Sequence, residues 1–270
     1  MSLMKQYPHL QPFLYSRAMA EQGVPFLLRT GQIVPFAKPL DWTSFDLVNK
    51  FRHCVKYASG LRKIKVGHAG TLDPKATGVL IICTGKCTKH IEELMTHSKE
   101  YVATLQLGAT TPSFDSEMEP DAFFPYEHIT KELLQKALLS FSGWIEQIPP
   151  IFSATSVNGK RAYDLAREGK EVTLKAKRVF VESIVMENFS LPFVTLRIRC
   201  GKGTYIRSIA RDLGVLLQSG AFLTSLQRTE VGGIGIDECF TTEDFTQILR
   251  HIAPSEEGYE EVLNVRPLLY

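Results

Sequence analysis

The chain has 270 residues, of which 44% are hydrophobic and 22% charged, and its formal net charge is +2. These proportions are ordinary for a globular protein with one large core or two modest ones. No stretch approaches the roughly 18 uninterrupted apolar residues of a membrane span, and the N-terminus MSLMKQYPHL has no basic-then-apolar signal pattern. We therefore expect no membrane association and a cytoplasmic protein.

The first clear element follows a weakly patterned stretch that ends near Gln32. Thr43 or Ser44 is a typical helix N-cap, and apolar residues then recur at helical spacing, so we predict a helix to about Lys56. Val79 to Thr84 is a short apolar run that predicts a buried strand.

The middle of the chain alternates between strand and helix patterns. Apolar residues at every second position from Tyr101 to Leu107 predict a half-buried strand, and a polar loop from Gly108 to Pro125 follows it. Thr130 is then expected to cap a helix with apolar residues on one side.

The last clear pattern is a strand, a glycine turn and a helix. Val194 to Cys200 alternates between apolar and polar residues, and we predict a helix from about Thr204, with Arg207 and Arg211 off its apolar stripe. Because strands and helices mix without regular βαβ alternation, we predict the α+β class.

Positive charge is concentrated in two blocks. Residues 61–99 hold seven Lys/Arg against three Asp/Glu, residues 159–211 hold twelve against five, and residues 230–270 hold two against nine. Two basic blocks suit a polyanion partner, although solvated surface charge is the alternative. The acidic tail would repel phosphate and is not expected to bind RNA.

Cysteine and glycine patterns exclude several common sites. An odd number of scattered cysteines does not suggest a disulfide framework, and Cys83 with Cys87 lacks a second ligand pair for zinc. We predict buried free thiols and no metal site, with metal binding as the alternative. The run from Gly78 to Thr88 has the wrong spacing for a phosphate-binding P-loop, and Ile206 stands where a dinucleotide fingerprint needs its third glycine.

Asp73 is the most informative candidate residue. It stands between Gly67 and Gly70 on one side and Pro74 on the other, and the proline disfavours helical backbone at Asp73. The basic neighbourhood favours an ionised carboxylate. A functional carboxylate and an ordinary Asp-Pro turn are both compatible with this pattern.

The segment that contains Asp73 resembles the signature of a known enzyme family. GHAGTLDPKATGVL closely resembles the motif of the TruB family of pseudouridine synthases, and four further segments agree in order. These are Lys38-Pro39 with Thr43-Ser44, Lys99-Glu100-Tyr101, PPIFSATSVNGKRAYDLAR from Pro149 to Arg167, and GKGTYIRSIARDLG.

The resemblance implies a fold and a domain organisation. We expect a mixed, largely antiparallel sheet flanked by helices, which is the pseudouridine synthase fold. The expected organisation is an N-terminal extension over residues 1–31, a catalytic domain over 32–231, and a short acidic segment over 232–270 without a complete RNA-binding PUA domain. Four positions depart from the family pattern, namely Asp41 at a usual Gly, Phe152 at a common Tyr, Ser156 at a frequent Lys and Gln227 at an Arg.

The resemblance also implies a reaction, a partner and residue roles. The expected reaction converts a uridine of the tRNA T stem-loop to pseudouridine, without a cofactor or metal. Apart from the resemblance, we expect a monomer, because self-contained cores favour one. The implied roles are Asp73 as catalytic carboxylate, Arg207 as its ionic partner, Tyr101 stacked on the flipped base, Tyr205 lining the pocket, His68 filling the gap in the RNA stack, Leu226 closing the apolar wall and Lys89 binding phosphate.

Simpler structural roles stay open for several of these residues. Tyr101 and Leu226 could be core residues, Arg207 a surface helix residue, and His68 a turn cap. Alternative functions are a non-catalytic RNA-binding or tRNA-folding protein on the same fold, a synthase of guide-RNA particles, and a ribosomal-RNA synthase of another family.

Overall fold

The computed structural model describes residues 8–27, 31–60, 63–153, 156–157, 160–161, 174–245 and 249. Parts of the family-like segment Pro149 to Arg167, and the acidic tail after Phe245 apart from Leu249, lie outside the described residues. The chain divides into two compact units, Met1–His97 with Thr229–Tyr270, and Ser98–Arg228. The division into extension, catalytic domain and tail stays a prediction.

Helices and strands alternate along the described chain. Its α-helices are α1 (Arg17–Glu21), α2 (Ser44–Ser59), α3 (Ile91–Leu94), α4 (Lys131–Leu138) and α5 (Ile206–Leu216), and its 3-10 helices are η1 (Pro8–Phe13), η2 (Gly85–His90), η3 (Leu139–Phe141) and η4 (Ile236–Glu238). Its strands are β1 (Ile33–Lys38), β2 (Val66–His68), β3 (Ala76–Thr84), β4 (Lys99–Leu107), β5 (Ala109–Thr110), β6 (Ala122–Phe123), β7 (Gly143–Gln147), β8 (Ser156–Val157), β9 (Lys160–Arg161), β10 (Lys177–Ser190), β11 (Phe193–Cys200), β12 (Ala221–Val231) and β13 (Ile234–Gly235).

The first unit is built around β3. β1 pairs antiparallel with β3 from Ile33 opposite Cys83 to Lys38 opposite Gly78. β2 pairs antiparallel with the C-terminal end of β3, with His68 opposite Ile82. Both faces of β3 are covered by apolar residues. Leu80 and Ile82 belong to one apolar cluster, and the alternate residues Val79, Ile81 and Cys83 belong to another. The continuous apolar run of this strand is therefore the pattern of a strand buried on both faces.

α2 covers one face of this unit, as its sequence pattern predicts. Thr43 is the N-cap and forms a capping box with Asp46, and Gly60 ends the helix at φ 67°. The buried stripe packs with an aromatic cluster drawn from both ends of the described chain, whose members include Tyr15, Phe26, Phe36, Phe51, Phe240 and Phe245. The segments before Gln32 and after Val231 thus contribute core residues that their weak patterns did not predict.

In the second unit, four strands pair in the order β4-β11-β10-β7. All three pairings are antiparallel, and Tyr101 of β4 lies opposite Ile198 of β11. α4 contacts β10 and α5 contacts β4, so helices flank the strands. α5 begins at Ile206 rather than at Thr204, because Tyr205 keeps extended backbone as the N-cap.

These observations confirm the predicted α+β class with its largely antiparallel sheet. The loop from Gly108 to Pro125 additionally contains the short strand pair β5 and β6. All five cysteines are buried free thiols, as predicted. None of the described helices is long and apolar enough to cross a membrane.

We predict that Gly214→Ala destabilises the protein, although alanine normally stabilises a helix by about 1 kcal/mol relative to glycine. A Cβ at Gly214 of α5 would lie 2.3 Å from the Ala221 nitrogen and 2.5 Å from the Gly220 carbonyl carbon. Since both neighbours are backbone, the overpacking should cost about 1–3 kcal/mol.

Urea denaturation measures this cost, with Val215→Ala at the adjacent, 71% exposed position as the control. A Gly214→Ala variant as stable as wild type would contradict the predicted clash.

Candidate active site

Asp73 lies in the loop between β2 and β3 of the first unit. Its side chain is half-buried, and its backbone carbonyl accepts a hydrogen bond from the Ala76 N–H at 3.1 Å. The loop has no regular secondary structure from Thr71 to Asp73 and turns at Pro74. Asp73 therefore occupies a fixed turn that leads directly into a buried strand.

The residue before Asp73 is held by one buried hydroxyl. Ser44, in the first turn of α2, accepts a hydrogen bond from the Leu72 N–H at 2.8 Å and donates one to the Leu72 carbonyl at 3.0 Å. Its exposed fraction is 2%. Both backbone polar groups of Leu72 are thus paired with a side chain that the helix itself holds in place.

Pro74, the residue after Asp73, accepts hydrogen bonds from a buried lysine side chain and from the Asp41 backbone. The Lys38 ammonium donates to the carbonyls of Pro39 at 2.8 Å, Trp42 at 2.6 Å and Pro74 at 3.4 Å. The Asp41 N–H donates to the same Pro74 carbonyl at 2.9 Å. The Pro74 carbonyl is therefore held by both the Lys38 ammonium and the Asp41 backbone.

Asp41 stands where the resemblance leads us to expect glycine, and its backbone has a conformation that suits glycine. Its φ of 62° lies in the left-handed region that glycine adopts freely and that aspartate tolerates better than most residues. Its carboxylate also accepts a hydrogen bond from the Lys75 ammonium at 2.8 Å. The backbone geometry that favours glycine is therefore kept, and the aspartate adds an ion pair to the loop that carries Asp73.

His68 and Lys89 also belong to the first unit. His68 ends β2 opposite Ile82 and is half-buried, and Lys89 is exposed on η2. His68 is thus close in sequence to the Asp73 loop and accessible to solvent, whereas Lys89 has the exposure that a phosphate contact requires.

Tyr101 lies in β4 of the second unit with Lys99 on the same side of the strand. Tyr101 is 8% exposed and Lys99 is 7% exposed. Burial, reinforced by the positive charge of Arg228, lowers the pKa of the Lys99 ammonium from 10.5 to about 8. This buried face is therefore electropositive. Its burial leaves both the stacking role and the core role open for Tyr101.

Arg207 is buried in the first turn of α5, which excludes the surface-residue alternative. Its exposed fraction is 3%. It donates to the carbonyls of Ser113 at 3.2 Å and Phe152 at 2.9 Å, and its Nε lies 3.7 Å from Asp115 Oδ2. The guanidinium is therefore fixed from several sides, and Arg207 ties the polar loop after β4 to α5.

Tyr205 is positioned by a buried glutamine that the sequence did not single out. The Gln147 side chain accepts from the Tyr205 N–H at 2.8 Å and donates to its carbonyl at 3.1 Å. Gln147 is 2% exposed, whereas Tyr205 is half-buried. Leu226 of β12 is also half-buried, so it is not a fully buried core leucine.

Comparison with known proteins assigns the family. Residues 57–206 match the profile of the TruB family pseudouridylate synthases, N-terminal domain. tRNA pseudouridine synthase B of Phocaeicola vulgatus is 56% identical over 236 residues, covering 87% of this chain and 98% of that protein. The protein of the same name from Parabacteroides distasonis is 54% identical and covers 81% of this chain and 93% of its own length.

The chain belongs to the TruB family. It is therefore a pseudouridine synthase, an isomerase, and the predicted resemblance is confirmed. Among solved structures, a chain in the crystal structure of a Cbf5-Nop10-Gar1 complex matches with a TM-score of 0.60 at 27% identity. That match covers 83% of this chain but 55% of the other, so the TruB family chain spans about half of that protein's length.

The family match includes Asp73, Tyr101 and Tyr205 and ends one residue before Arg207. In the first unit, His68 ends β2 and Asp73 lies in the loop that follows. The second unit contains Tyr101, Tyr205, Arg207 and Leu226. Sequence reasoning missed Gln147 and Asp115. In the sequence, Gln147 is simply a polar residue at the end of a strand, and its partner Tyr205 lies 58 positions away. Asp115 is a polar residue in a loop, and its partner Arg207 lies 92 positions away.

We predict that Ser44→Ala destabilises the fold by about 1–3 kcal/mol, because the buried Leu72 N–H and carbonyl would lose their partner. The turnover of the folded variant should fall as well, since Leu72 no longer fixes the backbone next to Asp73. Denaturant unfolding and steady-state kinetics measure the two effects.

Ser59→Ala is the matched control, because Ser59 ends the same helix and donates a local hydrogen bond to the Val55 carbonyl. Equal turnover of the two variants would show that Ser44 does not position the loop.

We also predict that folding stability rises between pH 8 and pH 10.5 because of Lys99. In this interval the unfolded chain binds a proton on Lys99 that the folded chain has released, so the free energy of unfolding increases with pH. The full effect of Lys99 is about 3 kcal/mol. Lys99→Met should remove the increase and be more stable than wild type near neutral pH.

Chemical denaturation across this pH range tests the prediction, with exposed Lys202→Met as the control. The same pH dependence in wild type and Lys99→Met would contradict it.

Proposed function

We propose that this TruB family enzyme converts one uridine of the tRNA T stem-loop to pseudouridine, with Asp73 as its catalytic carboxylate. The observation that carries the proposal is the identity of 56% to a tRNA pseudouridine synthase B, extending over 98% of that protein. The relative's name supplies the substrate class, and the anchored Asp73 loop supplies a carboxylate fixed in position. The restriction to the T stem-loop rests on the family resemblance.

The reaction itself requires no cofactor or metal. The bond from ribose C1′ to uracil N1 breaks, the base turns, and a new bond joins C1′ to uracil C5, so no atom is gained or lost overall. The proton that leaves C5 is balanced by one taken up at N1. Asp73 either attacks the ribose or removes a ribose proton, and the proposal includes both routes.

The target base must leave the RNA stack before it can react. In the proposal, Tyr101 stacks on the flipped base, an interaction typically worth about 1–3 kcal/mol. Tyr205 and Leu226, which are both half-buried, line the apolar part of the pocket. His68 fills the position that the base vacates in the RNA.

Charged residues supply the remaining roles. Lys89 is exposed on η2 and contacts phosphate, so RNA affinity should fall as the salt concentration rises. Arg207 is rigidly held by Ser113, Phe152 and Asp115. A fixed guanidinium suits the role of keeping a carboxylate ionised. The pairing of Arg207 with Asp73 and the monomeric state of the enzyme remain predictions.

We expect Asp73→Asn to abolish pseudouridine formation while RNA binding stays within about threefold of wild type, because the amide keeps the shape but loses the charge and basicity. The assay uses one tRNA transcript, with chemical mapping of the modified position and a binding measurement in parallel.

Asp41→Asn is the matched control, because the Asp41 backbone contacts Pro74, next to Asp73. The Asp41 side chain is 62% exposed, and asparagine tolerates the positive φ of this position. Modification confined to the T stem-loop in wild type and Asp41→Asn, and absent in Asp73→Asn, would support the reaction, the substrate and the catalytic role of Asp73. Wild-type turnover in Asp73→Asn would refute the catalytic assignment. Tight tRNA binding without modification by wild type would favour the non-catalytic alternative.

A further inference from the structure

Three side chains that bind metals well, those of His9, His90 and Glu93, meet in the first unit. The Nε2 atom of His9 lies 3.0 Å from one carboxylate oxygen of Glu93, and the Nδ1 atom of His90 lies 3.0 Å from the other. One ligand atom from each of the three residues lies within 4.8 Å of the others. The proposed function uses none of these residues.

Two separate segments build this cluster. His90 ends η2 and Glu93 lies three positions later in α3, so one helical turn places both on the same side. His9 comes from η1, near the start of the described chain. The ring of Phe13, at the end of η1, stacks near His90 with ring centres 6.4 Å apart and planes inclined by 25°.

The position of η1 is fixed by the core rather than by the cluster alone. Leu10 is fully buried in the same apolar cluster as Leu94 of α3. Leu14 bridges to Ile33 at the start of β1. Because apolar packing places η1 beside α3, His9 reaches Glu93 without the cluster having to order the segment.

The geometry points to a divalent transition-metal site, with zinc as the expected ion, formed by His9, His90 and Glu93. Two imidazoles and one carboxylate are a known zinc ligand set. With metal–ligand distances of about 2.0–2.1 Å, tetrahedral ligand atoms lie about 3.3 Å apart. The two nitrogen–oxygen contacts of 3.0 Å run to different oxygens of Glu93 and have hydrogen-bond length, so ion binding requires only a small adjustment of these side chains.

The exposure of the cluster leaves room for a further ligand. The side chains of His9, His90 and Glu93 are 56%, 33% and 25% exposed. Water can therefore complete a four-coordinate shell. A bound metal ion would link η1 to α3 through its coordination bonds to His9 and Glu93. Metal binding would therefore stabilise the packing of η1 against α3.

Zinc binding to the untagged full chain tests this inference. The protein is first treated with a chelator and dialysed, and zinc is then titrated by calorimetry and in competition with a chromophoric chelator. Wild type should bind one equivalent. His9→Ala, His90→Ala and Glu93→Gln should each weaken binding at least about tenfold, because each removes a direct ligand.

His53→Ala is the control, since His53 is exposed on α2 and is not part of the cluster. It should bind zinc as wild type does. Zinc should also raise the melting temperature of wild type and of His53→Ala, but not of Glu93→Gln, which the circular dichroism spectrum must show to be folded. Equal zinc affinity in wild type and all three ligand variants, or no stoichiometric binding by wild type, would overturn the inference.

Discussion

The hydrogen bonds between Ser44 and Leu72 place the Asp73 loop, and the packing of α2 places Ser44. The hydroxyl pairs both backbone groups of Leu72, so this residue cannot shift without leaving a buried polar group unsatisfied. The loop is therefore held in place by α2 and by the apolar core against which α2 packs. Lys38 and Asp41 fix the following residue, Pro74, in the same way. In the proposed reaction, a carboxylate between two anchored neighbours would need little reorganisation.

The second unit uses the same principle with different side chains. Gln147 pairs with both backbone groups of Tyr205, as Ser44 does with Leu72. Arg207 joins the loop after β4 to α5 through carbonyl groups and Asp115. In each unit a buried polar side chain replaces the backbone partner that an irregular segment lacks. Each segment is therefore held firmly where regular backbone pairing is absent.

Sequence reasoning predicted the elements whose signals are local. The N-cap and apolar spacing define α2, and the continuous apolar run defines β3, because both patterns follow from helix and strand geometry. Asp73 itself could be found because its signature is nearly contiguous. The anchors Gln147 and Asp115 could not, because a buried polar residue is recognised only when its distant partner is known. The aromatic core contribution of Phe240 was missed for the same reason, since its neighbours are far away in sequence.

Buried cations are the feature of the second unit that folding alone does not explain. Lys99, Arg207 and Arg228 are each less than 10% exposed, and Lys99 is disfavoured both by burial and by the charge of Arg228. Apolar residues of similar size at such positions often make a protein more stable. The arrangement therefore costs stability in the free protein. A polyanionic substrate reverses the sign of this effect, because positive potential in a low-dielectric setting attracts phosphate strongly. The buried ammonium of Lys99 thus weakens the free fold, and a polyanion bound nearby would offset that cost.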